Sequence, residues 1–95
     1  MRLTTSETDA IREEVGRLDP EAELYLYGSR TDDTARGGDI DLLVVSDKLA
    51  LRDVLGLRIR ILDRIGWQQL DLEARRRNQM DDAFATMARE TGQRL

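Results

Sequence analysis

The chain has 95 residues, 40% hydrophobic and 36% charged, with a formal net charge of −4. This describes one small globular domain over residues 1–95, with a modest core built from aliphatic side chains because aromatics are only 4%. There are no cysteines and no histidines. Disulfides, thiolate metal sites and imidazole chemistry are therefore excluded, and any metal site must be built from oxygen, which favours Mg²⁺ or Mn²⁺. The acidic balance makes direct DNA binding unexpected. No segment approaches the ~20 apolar residues of a membrane span, and Met1 to Thr5 carries no signal-like apolar run, so the expected location is the cytoplasm.

In chain order, Thr5 or Ser6 is expected to cap a first helix, with Asp9 at capping-box distance from Ser6. Ala10, Ile11, Val15 and Leu18 recur at helical spacing, and Asp19-Pro20 ends the run. Glu23 to Tyr27 reads as a short strand in which Tyr25 and Tyr27 pack, and Gly28-Ser29 ends it. Residues 30–38 are a polar connection with a short helical turn expected around Thr31 to Ala35. Asp39 to Val45 is the clearest strand, apolar on both faces beyond its aspartates and therefore central.

Ser46 or Asp47 is expected to cap a helix over about 48–65, with a broad apolar stripe through Leu51, Val54, Leu55, Leu57, Ile61, Leu62 and Ile65. Leu57 and Ile59, at the stripe's margin, are candidates for a partner interface. Gly56 interrupts this helix at a cost of ~1 kcal/mol relative to alanine, for which close packing against a neighbour is the ordinary explanation. Gly66 marks its end. Trp67 to Glu73 is a third strand, Arg75-Arg76-Arg77 a basic connection, and Asn78 the cap of a last helix ending near Gly92. The order is α-β-α-β-α-β-α, an α/β (α+β) arrangement. It predicts a short mixed sheet with helices mainly on one side and the site on the opposite side or at the strand ends.

The residues that carry chemistry cluster. Asp39 and Asp41 alternate with Ile40, so they share one strand face with Cα atoms ~6–7 Å apart. Two carboxylates that close repel unless cations lie between them, and a two-metal site with ions ~3.5–4 Å apart needs such an arrangement. Asp71 stands in the third strand; if that strand pairs beside the second, Asp71 reaches the same face as metal ligand or base. Gly28-Ser29 supplies a turn whose N–H groups and hydroxyl bind phosphate oxygens, and Arg30 and Arg36 are placed to balance the charge of a triphosphate.

Leu26-Tyr27-Gly28-Ser29, nine residues, then Asp39-Ile40-Asp41-Leu42-Leu43-Val44 resembles the signature of the DNA polymerase β-like nucleotidyltransferase superfamily. The small size resembles its minimal nucleotidyltransferase (MNT) branch, whose core matches nearly the whole chain. The resemblance implies the minimal nucleotidyltransferase fold, with Gly28 and Ser29 on the triphosphate of ATP, Asp39 and Asp41 on two Mg²⁺ ions, and Asp71 completing the catalytic triad. Many MNT proteins are antitoxins that transfer AMP from ATP to a tyrosine of a HEPN-domain ribonuclease toxin. A HEPN toxin in a hetero-oligomer is thus the expected partner. A non-catalytic antitoxin that occludes its toxin, and transfer to a small molecule or RNA, are the alternatives. Gly38 departs from the serine that many members carry before the first aspartate.

Overall fold

The computed structural model describes residues 3–27 and 40–95. The polar connection, its expected helical turn, and Gly28, Ser29, Arg30, Arg36, Gly38 and Asp39 lie outside the described residues.

The first helix, α1 (Thr5–Leu18), is capped one residue earlier than the sequence reading has it. Thr4 Oγ1 accepts from the Glu7 N–H at 3.1 Å and Glu7 Oε1 accepts from the Thr4 N–H at 2.9 Å. This reciprocal pair satisfies two orphan donors, which Ser6 and Asp9 do not do. Asp19 ends the helix, its N–H donating to the Val15 carbonyl at 2.9 Å. Strand β1 (Glu23–Tyr27) follows, and β2 (Ile40–Val45) is the central strand expected from its apolar run.

The long helix, α2 (Leu51–Ile65), starts later than expected. Both candidate caps are engaged elsewhere: Ser46 Oγ donates to Asp19 Oδ2 at 2.5 Å and accepts from Lys48 N–H at 3.1 Å, while Asp47 accepts from the Arg77 N–H at 2.9 Å. Ala50 stands at the cap position instead, its N–H held by Asp53 Oδ2 at 2.9 Å. Gly66 ends α2 with φ +94°, in the left-handed region where glycine carries no Cβ penalty.

Strand β3 (Leu70–Arg75) begins three residues after Trp67 and absorbs Arg75. A 3₁₀ turn (Arg77–Gln79) precedes α3 (Ala83–Thr91), capped by Asp82 rather than Asn78, with Asp82 Oδ1 accepting from Ala85 N–H at 2.7 Å. The chain then adds a strand the sequence does not announce, β4 (Gln93–Arg94). Two residues are too few for a period-2 pattern.

The sheet order is β3-β2-β1-β4, with β2–β3 parallel and the other pairs antiparallel. Helix α2 is the crossover that parallel pairing requires. Ile40, Leu42 and Val44 of β2 face one way, into a core with Ile11 and Val15 of α1 and Leu57, Ile61 and Leu62 of α2. Leu43 and Val45 face the other way, with Tyr25, Tyr27, Phe84 and Ala88. Helices α1 and α2 thus cover one face and the short α3 part of the other. Leu57 is fully buried in the first core, which removes it from the partner-interface candidates and leaves Ile59.

Buried charge joins the two helices of the covered face. Glu14 of α1 is nearly inaccessible and receives Arg64 Nη1 at 3.1 Å and Arg60 Nε at 3.4 Å from α2. Among the described residues no helix is long and apolar enough to cross a membrane.

Candidate active site

Asp41 is the second residue of β2 and Asp71 the second of β3, and the parallel ladder sets them side by side. Paired residues on neighbouring strands point to the same face, ~5 Å apart across the ladder. On the other side of β2, Tyr27 is the register partner of Asp41. Tyr27, Asp41 and Asp71 therefore form a row across three strands, on the face opposite α1 and α2. The row stands where β1 ends and β2 and β3 begin, so Gly28-Ser29 follows it directly in sequence and Asp39 lies two residues before Asp41. The expected pairing of the third strand beside the second is present.

Further along the same face, Glu73 pairs with Leu43 and Arg75 with Val45. Asp71 and Glu73 are exposed and Asp41 is half-buried. Gln69 Nε2 donates to Asp71 Oδ1 at 3.5 Å. The negative field of the row is visible in Tyr27, whose hydroxyl is pushed up to about 12, first by burial and then by the charges of Asp41, Glu73 and Asp71. An acidic, all-oxygen face of this kind fits a hard divalent cation. The described residues alone contain no cluster of three or more carboxylates close enough to hold one; Asp41 and Asp71 supply two donors, and Asp39 lies outside them.

The structure also shows residues that the sequence reading passes over. Arg75, read as part of a solvated basic connection, is a strand residue on the site face. Its Nη1 lies 3.2 Å from Glu73 and its Nε 3.2 Å from Asp82, and its guanidinium stands 5.2 Å from the Phe84 ring centroid. The signal was the alternation Asp71, Glu73, Arg75, legible once the strand is extended past Glu73. Arg77 is a brace: its guanidinium reaches Asp47 at 3.5 Å and donates to the Glu21 carbonyl at 2.5 Å. A groove of about 310 Å³ runs along the open edge of β3, lined by Leu49, Leu51, Val54, Leu72 and Ala74 among others, and includes neither Asp41 nor Asp71.

A search of curated proteins finds no match to this chain. The family model described as a nucleotidyltransferase domain matches residues 8–84, a span that runs from α1 into α3 and holds Gly28-Ser29, Asp39, Asp41 and Asp71. With most of its length matched and two carboxylates aligned on its site face, the chain belongs to the nucleotidyltransferase domain family.

Proposed function

We propose that the protein is an antitoxin that transfers AMP from ATP to a tyrosine of a cognate HEPN ribonuclease toxin. The observation that best supports transfer chemistry is the register pairing of Asp41 with Asp71 on one sheet face. The toxin target rests on the resemblance of the motif and the chain's size to minimal nucleotidyltransferases.

Asp41 and Asp71, with Asp39, would hold Mg²⁺; the carboxylate donors suit it, and the chain has no cysteine or histidine. When bound, the metal would supply charge neutralisation for the triphosphate. Gly28-Ser29 binds the phosphates, and Arg30 and Arg36 offset their charge. In the reaction the acceptor phenol oxygen bonds to the α-phosphorus and the bond from that phosphorus to the β-phosphate bridging oxygen breaks. Pyrophosphate leaves with the bond's electron pair. Asp71, exposed on the site face, would take the phenolic proton and pass it to water. The contribution of the fold is to hold acceptor and phosphorus in line.

Transfer of label from α-phosphate-labelled ATP to the toxin, with Mg²⁺ present, tests this reading. Label with the wild type and none with Asp41→Asn/Asp71→Asn supports it. Neutralisation of the toxin by both proteins without label would establish occlusion in its place.

A further inference from the structure

The outer flank of α2 is apolar where nothing in the described chain covers it. Leu51, Leu55 and Ile59 are 75%, 56% and 50% exposed, and their spacing stacks them along one side of the helix. The other flank meets α1 through Arg60 and Arg64, and the inner face buries Leu57, Ile61 and Leu62. The apolar row therefore looks away from α1, above the open edge of β3, where Arg58 Nε donates to the Leu70 carbonyl at 3.2 Å.

Two further features belong to this flank. Arg52 near its start and Asp63 near its end share the side of the helix that carries Ile59. Both are exposed, and among the described residues neither forms an ion pair. Gly56 lies between them. Among the described residues a Cβ at Gly56 would meet only the Arg60 side chain of the same helix, at 3.2 Å, and no other element comes within 4 Å. Close packing within the chain, the explanation expected from sequence, is thus not what Gly56 serves.

We propose that this flank is the two-fold interface of a homodimer. If two α2 helices pack antiparallel, the register that sets Arg52 of one copy against Asp63 of the other also sets Ile59 against Gly56. The two-fold axis repeats both contacts. The missing side chain at Gly56 admits Ile59 and lets the helices approach, Leu55 borders the seam, and an ion pair closes each end. A positive start and a negative end on one helix form the self-complementary order that a second copy in antiparallel orientation satisfies. The interface leaves Asp41 and Asp71, on the other sheet face, uncovered.

Sedimentation equilibrium of the full chain over a range of concentrations tests the proposal. Wild type is expected to dimerise. Ile59→Arg is expected to be monomeric. Arg52→Glu, which turns two attractive contacts into repulsive ones, is expected to weaken self-association about tenfold. The exchange Arg52→Glu/Asp63→Arg restores opposite charges across the axis and should return association to near the wild-type level. All four positions of contact are on the surface, and circular dichroism checks that each variant is folded. A wild type that stays monomeric at every concentration overturns the proposal. So does a dimer indifferent to Ile59→Arg and Arg52→Glu, or a double exchange no better than Arg52→Glu alone.

Discussion

Phe84 of α3 meets Tyr27 of β1 edge to face, with ring centroids 5.2 Å apart and planes at 82°. The same Phe84 ring lies under the Arg75 guanidinium. One half-buried side chain therefore ties the short helix to the strand leading into Gly28-Ser29 and to the strand carrying Asp71. Phe84→Ala is expected to cost about 2–3 kcal/mol, below the ~3–5 kcal/mol of a buried aromatic truncation because the ring is not fully buried. Urea unfolding measures the loss. Nucleotidyl transfer, assayed below the new melting point, should fall as well, and unchanged transfer would show that α3 does not support the site.

The two register-paired carboxylates give opposite expectations for activity and stability. Asp41→Asn or Asp71→Asn should lower transfer at least ~10²-fold, a loss of the size seen when charged catalytic groups are removed. Without metal, Asp71→Asn should leave the melting temperature unchanged or raise it, since like charges on adjacent strands repel. A variant that loses activity only in step with its stability would assign these aspartates a structural role.

Tyr27 makes the site face sensitive to alkali. Its folded pKa of about 12 lies above the ordinary value of 10.0, so from pH 10 upward the unfolded chain releases this proton before the folded one does. The stability linked to Tyr27 is present below pH 10 and is lost as pH rises through the window from 10 to about 12. Chemical denaturation across that window should show a shallower decline for Tyr27→Phe than for wild type. Equal slopes would contradict the raised pKa.

At the acid end the buried group is Asp19. The Ser46 hydroxyl holds its carboxyl below the ordinary 3.8, helped by the Glu21 N–H and by the charges of Lys48 and Arg77, against the opposing effect of burial. The unfolded chain protonates first on acidification, so this contribution is present above about pH 4 and is lost as pH falls through the folded pKa. Ser46→Ala is expected to cost about 1–2 kcal/mol at neutral pH, the range for a hydrogen bond to a charged group offset by the nearby Lys48. Its stability should also fall less steeply as pH drops below about 4, which urea melts at several pH values would reveal.

How far the sequence carried depended on the range of the cause. The strand Glu23–Tyr27, the central strand and the ends of α1 and α2 at Asp19-Pro20 and Gly66 were legible because local composition determines them. Helix starts were not. Ser46 and Asp47 are good caps in isolation, but Asp19 and Arg77, distant in sequence, claim them. Trp67 looked like a strand residue by type, yet pairing with β2 begins only at Leu70. Of the site, the strand position of Asp41 was readable from the local run Ile40 to Val45, whereas the place of Asp71 beside it depended on a pairing that only the fold displays. Arg75 was mistaken for a connection because its partners, Asp82 and Phe84, lie beyond the turn that follows it.

The bridge between α1 and α2 is also open to test. Arg64 donates to Glu14 at 3.1 Å and to Glu13 at 2.7 Å. Arg64→Ala leaves a nearly inaccessible carboxylate with poorer compensation and is expected to lower the melting temperature. Glu14→Leu should cost less, because Arg60 and Arg64 can turn to solvent and the new side chain is at home in the core. Thermal melts of the two variants decide the order.

The parallel pairing of β2 with β3 has a consequence for how the protein comes to function. The two carboxylates become neighbours only after the whole of α2 has folded and returned the chain to the same edge. Such a crossover is a long-range contact whose loop-closure entropy must be overcome before the pairing repays it. A fragment that ends before β3 lacks the pair. Activity should therefore appear in a single step, together with the last protected amides of β3, and refolding watched by transfer should never run ahead of refolding watched by hydrogen exchange.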